Sequence, residues 1–447
     1  MSQIPLPLIF VALLSRTVLN HKGAPFPLRG MSNPGNRCYV NATLQALAAC
    51  PPFFHVLRSL YKSGALDREP SATPVLDAMS AFMCEFSRYS KRYQGGSAPI
   101  LEPDYVFEML SNTRSDMTFK GRQEDAEELL LTILNGLHEE MVSCMAQVKK
   151  PGQTNQSAKQ PPSPKPPAWG TQPAAVEPPP PVPAESGGRT VSESSGGEWQ
   201  QVGPGRKVAV TRQTRLADSP VADIFGGYLQ YSVLVPGAKE SVNSQPFFTI
   251  PLEIQSPEVK DVKTALAYYM QRETLKGVSS KNREVDATRK TSFERLPIVL
   301  VLQLKYFLYG QEGLTKLQKW VDYGVELQID KDLLSHSLRS KLAPGSRERD
   351  YKLFAVIFHH GEKAEGGHYT VDLFHGGGWV QVDDTRVRSI PSQEQMLKNN
   401  VPLRVPYLLF YRRWDSLISN PPPAMGGAMT NNNFAANNSA GGNPMTS

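Results

Sequence analysis

The amino-acid sequence predicts an α+β fold, on three observations. Its front third carries helical periodicity, its back half carries short β-prone stretches, and a proline-rich run with little to bury lies between them. Of 447 residues, 40% are hydrophobic and 9% aromatic, which is enough for a sizeable core. The 38 prolines and 34 glycines cluster in a few stretches, as in folded parts joined by solvated linkers. The net charge of +6 is mild and no run of five Lys/Arg occurs, so no nucleic-acid partner is expected.

Residues 1–28 read as a leader. Ile4 to Leu14 is apolar like a signal-peptide core, but no Lys or Arg precedes it and it contains Pro5 and Pro7. It is also far short of the ~20 residues that cross a bilayer, so neither secretion nor a membrane partner is expected. The block 29–146 is helix-rich. Asn41 to Ala49 forms a helical run that Pro51-Pro52 should end. Ala126, Leu129, Leu130, Ile133, Leu134, Leu137 and Met141 recur at three- and four-residue steps, marking an amphipathic helix whose other face carries Glu124, Glu127, Glu128 and Glu139.

The insert at 147–200 follows, with Lys149 to Gly197 dominated by Pro, Ser, Gln and Gly and including Pro178-Pro179-Pro180-Pro181. Such a stretch cannot offset its ordering entropy and should be extended or disordered, a surface insert first and a Pro-rich partner-binding segment second. In 201–415 the texture is strand-like: Phe247 to Ile254, Ile298 to Phe307, Lys352 to Phe358 and Tyr407 to Tyr411. Tyr369 to Phe374 and Trp379 to Val382 read as a hairpin turning on Gly376-Gly377-Gly378. The tail 416–447, rich in Asn, Gly and Ala, reads as disordered. Helical block, insert, sheet block and tail suit an enzyme with its site between two lobes.

The four cysteines, Cys38, Cys50, Cys84 and Cys144, include no Cys-x-x-Cys pair and form no disulfide framework. A reducing compartment follows, the cytoplasm and by extension the nucleus. Cys38 ends a loop rich in Gly, Asn and Pro (Gly30 to Arg37) and begins an apolar helix. Free N–H groups and the positive dipole end there favour a thiolate. Taken alone, such a cysteine more often marks a buried core position. The second half of the chain changes the balance. Gly366-Gly367-His368-Tyr369-Thr370 opens one hairpin strand, and Asp383 follows the other. Pairing of the two strands would let Asp383 fix the imidazole tautomer while His368 takes a thiol proton. Asn33 offers a side-chain amide to a developing oxyanion.

Residues 30–47 resemble the cysteine box of the ubiquitin-specific proteases, and 358–384 their histidine box. Gln123-Glu124-Asp125-Ala126 resembles the family's Gln-x-Asp-Ala helix opening. The likeness runs from about Arg29 to Arg413, broken by the insert. It implies a papain-like fold of thumb, fingers and palm: a thumb at 29–146 with Cys38, fingers at about 222–290, and a palm with His368. It further implies Cys38 as nucleophile, His368 as base, Asp383 as orienting acid with Asp384 as deputy, and Asn33 as oxyanion donor. Gln123, Asp125, His359 and Tyr369 would bind the ubiquitin tail. The implied activity is hydrolysis after the C-terminal Gly of ubiquitin on modified proteins, without cofactor; the alternatives are an inactive ubiquitin-binding scaffold and a general endopeptidase.

The chain departs from the family in places. Arg37 precedes Cys38, where its charge would either act on the thiol or face solvent. Leu304-Lys305-Tyr306-Phe307 has Tyr where the family has Arg. The Cys-x-x-Cys pairs that bind zinc in the fingers of many members are absent, so fingers without metal are expected. His359 and His360 are rival bases, though their place at a strand end suggests a cleft wall.

Overall fold

Helices α1 (Cys38–Ala48), α2 (Pro51–Lys62), α3 (Pro74–Ser87), α4 (Asp104–Thr113) and α5 (Ala126–Val148) make up the front block. In this computed structural model the described residues are 28–64, 72–87, 99–113, 124–148, 199–202, 209–280, 283–310, 313–363, 366–398, 401 and 403–417. The leader up to residue 27, the proline-rich insert at 149–198, the tail beyond residue 417 and Gln123 lie outside them, while α5 and a strand from Trp199 each run two residues into the insert expected at 147–200.

All eleven residues of α1 are buried, and its polar members Asn41, Thr43 and Gln45 each donate a side-chain hydrogen bond. Pro51-Pro52 not only closes this run but opens α2, where proline suits the first turn because its missing N–H has no partner there anyway. Along α5 the predicted stripe of Leu129, Leu130, Ile133, Leu134, Leu137 and Met141 is fully buried. Glu127 departs from expectation. It lies buried off that stripe because β5 packs over the helix's other side, and Thr249 Oγ1 donates to its carboxylate at 2.6 Å.

Beyond the insert come β1 (Trp199–Val202), β2 (Ala209–Gln213), α6 (Pro220–Phe225), β3 (Gly227–Leu234), β4 (Ser241–Phe247), β5 (Thr249–Glu253), α7 (Val262–Tyr269), β6 (Glu273–Ser280) and β7 (Arg283–Arg295). Next are β8 (Val299–Lys305), β9 (Phe307–Gly310), β10 (Gly313–Lys316), β11 (Glu326–Gln328), α8 (His336–Lys341), β12 (Asp350–His360) and β13 (His368–His375). The last elements are β14 (Gly378–Asp383), β15 (Arg386–Ile390), α9 (Gln393–Lys398) and β16 (Arg404–Arg413).

Two large sheets result. One has the order β1-β2-β4-β3-β7-β6; the other runs β15-β14-β13-β12-β16-β8-β5, with β11 added to β12. The second places the chemistry. Strands β13 and β14 form the expected hairpin, with Gly376 and Gly377 both at positive φ, as a two-residue turn matched to strand twist requires. Val371 pairs with Val382, so continuing the register sets Asp383 opposite Thr370, two residues from His368 on the same sheet face. The sheet packs against α1, which carries Cys38 to its edge, and meets the start of α5 through Asp125 on Tyr407 and Glu127 on Thr249.

Candidate active site

The loop before Cys38 is organised by Asn33, whose Oδ1 accepts from Gly35 N at 3.2 Å and Arg37 N at 3.0 Å. This Asx-type turn feeds the chain into α1 with Cys38 as its first helical residue, only 3% exposed. Arg37 faces away. Its guanidinium pairs with Asp104 at 2.9 Å and lies 3.9 Å over the Phe107 ring, at a surface where both charged groups are exposed, which is nearer the solvent-facing alternative.

His368 enters β13 through Gly366 and Gly367, both at positive φ. A Cβ on Gly367 would lie 2.2 Å from the His360 carbonyl oxygen and 2.9 Å from His359 Nε2, so only glycine lets the chain fold back this tightly. The His368 Nε2 is 2.6 Å from Asp383 Oδ1, which leaves Nδ1 for the hydrogen bond that the ring makes with Cys38. That bond to Cys38 is the largest influence lifting His368 from 6.5 to about 9; burial opposes it and Asp383 adds to it. Sulfur, imidazole and carboxylate therefore form one connected chain from α1 through β13 to β14.

The two neighbouring histidines differ. Burial, joined by the Lys316 charge, pushes His359 down to about 3. Burial, joined by Arg404, pushes His360 down to about 4. Both are thereby far weaker proton acceptors than His368, and His360 Nε2 is engaged with Thr370 Oγ1 at 2.8 Å.

Asp384 does something other than stand in for Asp383. It adopts φ 47°, a left-handed conformation that turns its side chain away from the strand alternation. Its Oδ2 accepts from Asn33 Nδ2 and its Oδ1 from Asn41 Nδ2, both at 2.8 Å, while its carbonyl accepts from Met31 N at 2.9 Å. A Cβ on Gly30 would sit 2.4 Å from the Thr385 oxygen, which shows how closely the cysteine loop lies on this turn. The Asn33 amide thus has one N–H committed to Asp384 and one still available.

An aromatic cluster lies where β12 ends and β13 begins. The His359 ring meets Tyr369 at 4.9 Å and Phe307 at 5.1 Å, and Tyr407 lies 5.3 Å from Phe307. His359 and Tyr369 are 1% and 3% exposed, so they are buried packing groups and not an open cleft wall. Asp125 caps α5, its Oδ1 accepting from Glu127 N at 2.7 Å and its Oδ2 from the Tyr407 hydroxyl. Burial raises the Asp125 carboxyl, and these hydrogen bonds oppose the rise. Phe307 and Tyr407 were not singled out from the sequence as site residues. Their only signal was their place in β-prone runs, which they share with other core aromatics such as Phe358 and Phe410. The Tyr306 that replaces the family's Arg is fully buried.

One trio among the described residues, His368, Asp383 and Asp384, has ligand atoms within 4.8 Å of one another and could approach a cation. Both Asp384 oxygens are already taken by amides and the His368 Nε2 by Asp383, so the geometry favours proton chemistry.

The family model described as "Ubiquitin carboxyl-terminal hydrolase" matches residues 29–411. Ubiquitin carboxyl-terminal hydrolase 10 of Xenopus tropicalis is 39% identical over 436 residues, 93% of this chain and 51% of that protein. The Mus musculus protein of the same name is 38% identical over 434 residues, 93% and 52% of the two chains. Probable ubiquitin carboxyl-terminal hydrolase 3 of Schizosaccharomyces pombe is 33% identical over 409 residues, 87% and 75%. The chain spans about half the length of the first of these relatives. Among solved structures, the SAGA Ubp8/Sgf11/Sus1/Sgf73 module bound to ubiquitin aldehyde matches with a TM-score of 0.59 at 20% identity, covering 91% of this chain and 74% of that one. A second structure of that module, bound to monoubiquitin, gives 0.58 at 21%, covering 91% and 75%. At such identity these two structures speak to the fold, and they agree with the expected thumb, fingers and palm.

Proposed function

The chain belongs to the ubiquitin carboxyl-terminal hydrolase family, and from that premise we propose that it is a cysteine-type deubiquitinase that cuts the isopeptide or peptide bond after the terminal Gly of ubiquitin. The observation that carries this reading is the hydrogen-bonded chain Cys38–His368–Asp383, which joins a candidate nucleophile to a base and the base to an orienting carboxylate.

In this reading His368 takes the Cys38 proton and the thiolate adds to the carbonyl carbon of the terminal Gly. The oxyanion accepts from the free N–H of Asn33 Nδ2 and from backbone N–H groups at the start of α1. Asp384 acts as the brace that aims Asn33. The imidazolium then protonates the leaving lysine amine, the C–N bond breaks, and a thioester to Cys38 remains. Water, deprotonated by His368, adds to the thioester, and its collapse releases ubiquitin and the thiol. No cofactor enters this cycle. The ubiquitin tail would run beside Gln123 and Asp125, over the aromatic cluster of His359 and Tyr369. The acidic cap at α5 suits a basic strand.

Ubiquitylated proteins are the proposed partners, with the proline-rich insert as a further contact segment. Four cysteines, none of them in a disulfide, fit a cytoplasmic enzyme that also reaches the nucleus. The test is incubation with ubiquitin carrying a C-terminal electrophile. A covalent adduct is expected with the wild-type chain and none with Cys38→Ala. Failure of the wild type to form it would favour a binding scaffold without chemistry.

A further inference from the structure

Lys316, the last residue of β10, is only 8% exposed, and no carboxylate among the described residues pairs with it. Its ammonium instead points at three main-chain oxygens: Gly361 at 2.6 Å, Leu403 at 3.2 Å and His359 at 3.4 Å. An ammonium has three N–H donors, so this set uses all of them. The acceptors come from two chain segments, the end of β12 with the turn after it and the residue before β16.

We propose that Lys316 is a positioning residue for His368, its ammonium pinning the strand ends that fix where the imidazole stands; the proposal rests on the reading of His368 as the base. The links are short. Gly361 is held by Lys316 through its oxygen and by Leu403 through its N–H, at 3.1 Å. A Cβ on Gly361 would lie 3.3 Å from the Cα of Gly367, the residue directly before His368. The pinned glycine and the glycine that delivers the imidazole are therefore in close contact, and a shift of one moves the other.

Leu403 adds a second argument. It is a non-glycine residue at φ 67°, a conformation that persists only where its surroundings over-determine it. Its carbonyl accepts from both Gly361 N and Lys316 Nζ, and these bonds add to the turn that Arg404 N closes on the Val401 oxygen at 3.0 Å. A third link runs through Phe307, which pairs with Lys316 across the β9–β10 hairpin and sets its ring against His359. The burial that lowers Lys316 to about 8 is what a cation balanced only by carbonyl dipoles should show. The same charge helps keep His359 neutral, leaving His368 as the proton acceptor of the cluster.

The test uses the full chain and needs two readouts. Iodoacetamide alkylation of Cys38 at pH 6, followed on its peptide by mass spectrometry, requires no ubiquitin. Wild type should react faster than His368→Ala; equal rates would sink the assignment of His368 as base and leave Lys316 with nothing to position. Given that difference, Lys316→Met is expected to slow alkylation about ten-fold. It should lower kcat on a fluorogenic ubiquitin substrate by a similar factor with KM within about two-fold. Lys316→Arg, which keeps charge and donors, should retain most of both rates. Wild-type alkylation in a cooperatively folded Lys316→Met overturns the proposal, as does an equal loss in the Met and Arg variants. If Lys316→Met does not fold, Lys316→Gln, with two donors on a neutral group, decides by the same two rates: slowing supports the proposal, and wild-type rates overturn it.

Discussion

His368 and Asp372 stand four residues apart on β13, and each meets a partner of opposite chemistry on another strand. His368 and Asp383 lie at the open end of the sheet, 37% and 36% exposed; Asp372 and Arg404 are sealed within it, at 0% and 1%. The Arg404 guanidinium also lies 3.3 Å over the Phe358 ring. Water screens the first pair, so it adds little to stability, but its proton can be exchanged with a substrate. The second pair is shielded, and its cost of desolvation is met only while both partners are present. One sheet thus carries a pair built to change state beside a pair built never to change, and the sealed one holds β16 and β13 still while the open one works.

Breaking the sealed pair should give the largest effect. Asp372→Ala leaves a buried guanidinium unpaired and is expected to cost about 3–5 kcal/mol in chemical denaturation. Replacing both partners, Asp372→Leu with Arg404→Met, should recover most of that loss. A single substitution costing under about 1 kcal/mol would erase the distinction between the pairs.

Breaking the open pair should act on rate. Asp383→Ala is expected to lower kcat/KM by about 10²–10³-fold while stability moves by less than about 1 kcal/mol. The pH dependence sharpens the contrast. Folding raises His368 from 6.5 to about 9, chiefly through the bond to Cys38. The stabilisation it gives is therefore complete below pH 6.5 and is lost as pH rises through about 9. Denaturation of His368→Ala against wild type should show a larger deficit at pH 6 than at pH 10.

Glu127 stands between these extremes, an acid buried between α5 and β5 with a neutral partner. Burial, aided by Asp125 and Glu128, raises it to about 7, against the Thr249 hydrogen bond. Its neutral form is favoured in the fold, so it is harmless below about pH 4.5 and costs stability as pH climbs to about 7. Glu127→Gln keeps an acceptor for Thr249 and should be more stable than wild type by roughly 2 kcal/mol at pH 8. That gain should vanish near pH 4.5.

The same contrast between local and distant partners explains what the sequence could tell. The hairpin of β13 and β14 was legible because alternation and a glycine turn are local, and so were Cys38, His368 and Asp383 as candidates. The fifteen residues from His368 to Asp383 already imply their meeting. Asp384 was misread because its partners, Asn33 and Asn41, lie 351 and 343 residues away. Glu127 looked exposed because helical periodicity shows which face is apolar and not what covers the other. Strands β6 and β7 were not named individually: Arg283–Arg295 is largely polar and half-exposed, and gives none of the nearly continuous burial that marks β12. Lys316 had no signal at all, since a lysine that binds carbonyls looks like any surface lysine until the strand ends converge.

Arg37 gives the smallest expected effect and tests whether proximity in sequence means influence. It adjoins Cys38, yet its guanidinium is turned onto Asp104 and Phe107 of α4. An exposed ion pair and a surface cation–π contact are together worth about 1 kcal/mol at most. Arg37→Gln should therefore lower stability by less than about 1 kcal/mol and leave the alkylation rate of Cys38 within about two-fold. If the charge tuned the thiol, Arg37→Gln would instead slow alkylation at low pH, and the difference would shrink in high salt, since screening weakens an exposed charge. Measuring that rate at two salt concentrations separates a neighbour in the chain from a neighbour in space.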